Sequence, residues 1–248
     1  MSDDPTTMPH GVPVPGGAED RTLADSYAFL MKVVGVIALI LVPVVALGDW
    51  WIDDEPLRGS ISAYYYGRTG GWFVGSLCAM AVFFLSYQYK PQADYDGDRA
   101  LSNLAFLAAV GVALFPTAES GREAEGEELV ISTIHVISAG LLFVLLAVFS
   151  LYQFTKTKAE IKHVKGFWPK LMRIFRTDPE HKEGLTGQKP LRNLIYRICG
   201  WIIVACILLI VINNIADWDL LFWLESVAVV AFAVSWIVKS GWIEPLND

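Results

Sequence analysis

The chain has 248 residues, of which 54% are hydrophobic and only 18% charged, and its mean hydropathy is +0.44. Soluble domains average about 25% charged residues, so the balance excludes an ordinary soluble domain and points to a membrane protein. The formal net charge of −7 is distributed unevenly, and its distribution carries more information than its sum.

The first stretch, "MSDDPTTMPHGVPVPGGAEDRT", is acidic and rich in Pro and Gly. It lacks the basic n-region and small-residue cleavage site of a signal peptide, so residues 1–24 are expected to form a disordered cytosolic tail. About 20 apolar residues cross a bilayer as a helix, and six stretches approach or reach that length: Tyr27–Leu47, Gly70–Tyr89, Leu101–Pro116, Leu129–Phe154, Leu194–Ile215 and Leu220–Val238. The expected fold is therefore all-α, a polytopic six-transmembrane-helix bundle occupying residues 25–248 as one domain. Cys78, Cys199 and Cys206 lie scattered within the apolar runs. Without C-x-x-C spacing they support neither a disulfide framework nor a cysteine metal site.

The connections set the orientation. The loop after the first run carries Asp49, Asp53, Asp54 and Glu55 against two arginines, and "AESGREAEGEE" before the fourth has five glutamates and one arginine. From Lys156 to Arg192 ten Lys and Arg face four acids. Cytoplasmic loops collect Lys and Arg, which places this basic segment and both termini inside. Trp50, Trp51, Trp72, Trp218 and Trp223 then gather at the outer boundary, where amphipathic rings prefer to sit. Within the basic loop 155–192, "GFWPKLMRIFR" reads as a short amphipathic helix on the membrane surface. Its Lys165, Lys170, Arg173 and Arg176 are expected to contact anionic lipids, and no nucleic-acid role is needed to explain the charge.

Membrane helices approach one another through small residues. Gly71, Gly75 and Ala79 form one face of the second run, and Ala105, Ala109 and Ala113 one face of the third. These faces are expected to pack together, with a homo-oligomer contact as the competing use.

Ionisable groups inside apolar runs are costly and mark candidate functional sites. His135 lies about two turns into the fourth run with Ser132 and Ser138 on its face, and Glu225 about two turns into the sixth. Asn213 and Asn214 end the fifth run, and "SISAYYYG", residues 60–67, leads into the second. All fall toward the outer leaflet. The alternative is structural: His135 and Glu225 hydrogen-bond each other or nearby serines and hold the bundle together. Ser60, Ser62, Tyr64, Tyr65, His135, Glu225 and Asn213 are the candidate ligand-binding residues; no catalytic residue is assigned.

Familiar chemistries find little support. His135 is the one histidine inside the bundle, so the several ligands of a metal site are missing and no metal or cofactor is expected. Ser62 or Ser132 with His135 and Glu225 has the residue types of a nucleophile, base and orienter, but no G-x-S-x-G elbow accompanies them. "DYDGDRALSN" has Arg99 and Ala105 where a calcium loop needs Gly and Glu, and reads as a turn with Asp98 or Ser102 capping the third helix. "GRTGG" lacks the phosphate-loop lysine.

Short motifs carry a resemblance. A Pro-Leu, the "SIS" element, "FVG" in the second helix, "ALFPT", "IH" in the fourth, "RN…Y…CG" opening the fifth and "E…SWIVKSG" in the sixth look like a bacterial integral-membrane family of unassigned function. More remotely they resemble the six-helix superfamily that includes the DRAM, FRAG and Sfk-type eukaryotic proteins. The resemblance implies a six-helix bundle, a bacterial inner-membrane location and a connection to lipid organisation or lipid-linked processing. By position it singles out Ser60, Ser62, His135 and Glu225; the tyrosine triplet departs from the eukaryotic pattern.

The leading expectation is a non-enzymatic protein that binds a lipid or other amphiphile in an outward-facing cavity lined by Ser62, Tyr64, Tyr65, His135 and Glu225. The alternatives are an intramembrane lipid-processing enzyme with His135 and Glu225 as acid and base, and a proton-coupled transporter using Glu225.

Overall fold

A computed structural model describes residues 18–54, 56–87, 97–119, 124–155, 188–216 and 218–246. Among them six long helices follow in order: α1 (Ala18–Asp53), α2 (Gly70–Tyr87), α3 (Gly97–Leu114), α4 (Gly126–Val148), α5 (Lys189–Ala216) and α6 (Leu221–Lys239). Short 3₁₀ turns occupy Ser62–Tyr66 and Glu244–Leu246, and α4 runs on into a π-helical turn, Phe149–Gln153. No strand occurs among the described residues.

Each helix packs along a stripe. The buried residues of α1 include Met31, Val34, Ala38, Leu41 and Val45, whose alternating spacings of three and four keep one face inward. The opposite faces stay apolar and exposed, as with Leu39, Leu107, Val136, Leu208 and Val227. A helix apolar on all sides belongs in a large core or a bilayer. Four spans, Ala28–Ile52, Gly126–Gln153, Lys189–Ala216 and Leu221–Lys239, are long and apolar enough to cross a membrane; Gly70–Leu85 and Arg99–Leu114 are shorter apolar helices.

The helices form a closed ring in chain order, each packed on its two sequence neighbours, with α6 returning to α1. Indole Nε1 of Trp236, near the end of α6, donates to the Met31 carbonyl near the start of α1 at 3.0 Å. The beginning of α1 and the end of α6 therefore share one end of the ring. The 56–69 connection, the end of α3 and the start of α6 share the other.

Several sequence expectations shift. Residues 18–24, assigned to the tail, are the first turns of α1. Ser102, one of the two caps considered for the third helix, is buried inside α3, which starts at Gly97. Residues 1–17 and most of the basic loop, with Lys165, Lys170, Arg173 and Arg176, lie outside the described residues. The α2–α3 contact is extensive, and Ala105, Ala109 and Ala113 are buried. Gly71 and Gly75 do not supply its other half: both are exposed, and a Cβ on either would meet nothing. The close approach occurs on α3 at Gly111, where a Cβ would collide with Ser138 of α4.

At the tail-side end, the π turn places Phe149 and Phe154 together in the core, closed by the Phe154 N–H donating to the Phe149 carbonyl at 2.9 Å. With Phe84, Phe232 and Trp236 they form a stack of rings with centroids 5.4–6.3 Å apart.

The two glycine sites separate packing from exposure. Gly111→Leu is expected to destabilise the protein by about 1–3 kcal/mol, the usual cost of overpacking, whereas Gly75→Leu should stay within about 0.5 kcal/mol. Thermal unfolding of both variants in the same detergent checks the contrast.

Candidate functional site

The stripe of α1 ends on an acid. Asp49 continues the Leu41, Val45 spacing and is 1% exposed. A buried carboxylate needs charge and hydrogen-bond partners, and the chain between α1 and α2 provides them. Arg58 Nε donates to Asp49 Oδ2 at 2.8 Å in an ion pair. The Thr69 amide and hydroxyl lie 3.1 and 3.0 Å from Oδ1, and the same hydroxyl reaches the Val45 carbonyl at 3.2 Å. Gly67 passes so close that a Cβ there would run into the carboxylate.

The segment held in this way carries the tyrosines. Tyr64 is fully buried; its hydroxyl accepts the Arg58 N–H at 3.3 Å and the Arg58 guanidinium sits 5.7 Å from its ring centroid. Burial pushes its phenol above the ordinary tyrosine range. Its ring packs 6.1 Å from Phe222 of α6. Tyr65 meets Tyr66 edge-on, and the Tyr66 hydroxyl donates to the Thr117 carbonyl beyond α3 at 2.7 Å. Ser60 Oγ accepts the Ala63 N–H and lies 3.1 Å from Ser62 Oγ. One short segment is thus fastened to α1, to the end of α3 and to α6.

Beneath it lies a cavity of about 70 Å³ inside the ring. Ile61 and Ser62 roof it. Five helices supply its walls, each along one stripe: Phe73, Leu77, Met80 and Phe84 from α2, and His135, Ala139, Leu142 and Leu146 from α4, show the pattern. Phe84 and Phe232 line its floor, with the ring stack behind them. Polar lining is confined to Ser62, His135 and Glu225.

Each of the two ionisable groups is anchored to backbone. Glu225 Oε2 accepts the Ile61 N–H at 2.7 Å. His135 Nδ1 lies 2.7 Å from the Phe115 carbonyl oxygen, and because a carbonyl can only accept, Nδ1 carries the proton. The Val112 carbonyl lies beside the same ring.

Of the residues singled out from the sequence, Ser62, His135 and Glu225 converge on one cavity. Ser60 stands behind Ser62. Tyr64 and Tyr65, expected in the lining, are absent from it because their rings are taken up by the contacts that fasten the roof. Asn213 is also elsewhere: its Oδ1 accepts the Leu220 N–H at 2.9 Å and closes the α5–α6 turn. Nor do His135 and Glu225 bond each other. Asp49 and the Ile61 amide were missed by sequence reasoning, although a step of four from Val45, the same spacing that separates Leu41 from Val45, lands on Asp49.

Comparison with protein families, with curated proteins and with solved structures finds no match for the chain. Among the described residues no cluster of three or more His, Cys, Asp or Glu could hold a metal ion.

Removing one partner of a buried ion pair costs more than removing a surface hydrogen bond. Asp49→Ala is expected to lower stability by about 3 kcal/mol, and Tyr66→Phe, which deletes the bond to Thr117, by about 1 kcal/mol. Detergent-solubilised thermal unfolding of the two variants beside the wild type measures both.

Proposed function

We propose that the protein is a six-span membrane protein that binds an amphiphile inside its helix ring, with the Asp49–Arg58 end facing outward. The observation that carries this reading is the cavity itself: apolar along its length, with its polar lining gathered under the 61–62 roof. That division matches a molecule with a hydrocarbon chain and a polar head.

The orientation rests on the same ends of the ring. Exposed Trp50, Trp51, Trp72, Trp218 and Trp223 cluster around the roof, as an interfacial belt does. The basic segment of the sequence joins the π turn to α5 at the opposite end, where the positive-inside rule places cytoplasm. A bacterial inner membrane is the setting implied by the motif resemblance.

Binding is favoured over turnover by the hydrogen bonds. A serine nucleophile needs its hydroxyl bonded to the base, yet Ser62 Oγ pairs with Ser60 Oγ and makes no hydrogen bond to His135. Transport would need a path to the far end, and there the stack of Phe84, Phe149, Phe154, Phe232 and Trp236 fills the ring.

The test is to fill the cavity. Leu142→Trp puts an indole into the wall, and amphiphile extracted from the purified variant and quantified by mass spectrometry is expected to fall at least fivefold relative to wild type. Gly75→Leu, away from the cavity, should retain the wild-type amount. Equal retention in Leu142→Trp would remove the basis for this reading.

A further inference from the structure

The wall around the cavity is not equally closed on all sides. Most of its lining is buried, but Ser62, Ala139, Phe143, Glu225 and Val229 are only half-buried. Apart from Ser62 of the roof, these residues belong to α4 and α6, the helices on either side of α5. No residue of α5 lines the cavity.

The reason lies in how α4 and α5 meet. At the π-turn end their contact is tight: a Cβ on Gly200 of α5 would collide with Leu151, and Ala147, four residues before Leu151, is buried. Eleven residues are close to three full helical turns, so residues that far apart share a face. Eleven residues from Gly200 toward the roof, Val211 is 55% exposed. Eleven residues from Ala147 in the same direction, Val136 is 63% exposed. Between Val136 and Ala147, Gly140 is exposed, and a Cβ there would meet nothing. The two faces that touch near the base have thus parted toward the roof, where α5 stays with α6 through the Asn213–Leu220 bond. A cleft runs from the cavity between α4 and α5 to the lipid-facing surface.

Volume and chemistry set what can use it. About 70 Å³ is the share of about two waters at ~30 Å³ each, room for a small head group but not for its chain. His135, with its Nδ1–H on the Phe115 carbonyl, presents Nε2 as an acceptor. No Lys or Arg lines the cavity, and a carboxyl left in apolar surroundings without a cation keeps its proton. Glu225 therefore presents an O–H. A hydroxyl, with one donor and two lone pairs, answers both.

Resting on the amphiphile-binding reading above, we propose that the ligand is an uncharged amphiphile of the long-chain alcohol class that enters sideways from the bilayer through the α4–α5 cleft, lodges only its hydroxyl head in the cavity and leaves its chain in the cleft. There the chain lies against Val136, Gly140 and Val211 with lipid on its other side, and the ring has only the head to accommodate.

The test uses the full-length protein in phosphatidylcholine nanodiscs, with retention of radiolabelled dodecanol measured against protein-free discs. Gly140→Trp plugs the cleft where the backbone has free space around it, and is expected to lower retention at least fivefold. Gly75→Trp, on the exposed face of α2, should leave retention at the wild-type level. Dodecylphosphocholine has the same chain and a head too large for the cavity, so it should be held at least tenfold less strongly than dodecanol. Retention that falls in Leu142→Trp but not in Gly140→Trp would overturn the sideways entrance while the cavity reading stands. Dodecylphosphocholine held as well as dodecanol would overturn the seat of the head in the cavity. Dodecanol retained no better than in protein-free discs would overturn the proposal outright, and the amphiphile extracted from wild-type protein then decides whether the underlying reading falls with it.

Discussion

A carboxylate removed from water must be met by donors, and the burial of Asp49 at the end of α1 organises everything around the cavity mouth. Its two oxygens gather an arginine from one side of the α1–α2 connection and a threonine from the other. The chain between Arg58 and Thr69 has little choice but to fold back over the ring. Only because it is pinned there can the Ile61 amide reach Glu225 and Ser62 face inward. The roof is an electrostatic product first and a packed surface second. Its aromatic residues complete the fastening by reaching to the neighbouring helices.

The lower half obeys a different constraint. Phe84, Phe149, Phe154, Phe232 and Trp236 meet at tilted and edge-on angles, arrangements favoured by ring quadrupoles. They give the cavity a closed bottom. A hydrogen-bonded lid above and a ring-packed base below leave one compartment with opposite chemistry at its two ends.

Much of the architecture was legible because hydrophobicity and helical spacing are local properties. The apolar runs overlap the long helices among the described residues, four of them long and apolar enough to cross a membrane, and the polar groups at similar depth, His135 and Glu225, line a cavity with Ser62. What escaped was decided by contacts distant in sequence. Asp49 read as one more loop acid beside Asp53 and Asp54, since nothing nearby announces that Arg58 and Thr69 will close on it. The tyrosines of "SISAYYYG" looked like lining because hydroxyls near a cavity suggest a ligand, yet a ring can equally anchor the backbone that carries it. Gly71 and Gly75 have the spacing of a contact face, but spacing does not say which way a helix is rotated. The π turn was invisible because one additional residue leaves an apolar run looking unchanged.

That additional residue has a structural consequence of its own. Residues five apart in an α-helix point about 140° away from each other, so Phe149 and Phe154 could not both face the core of an unbroken α4. The wider turn cancels much of that divergence and resets the angular phase of the chain below it. The stretch from His135 to Leu146 and the rings beneath are therefore indexed separately. Substitutions that rotate or reshape the upper wall need not be propagated into the base. The protein can vary the compartment while keeping its closed end.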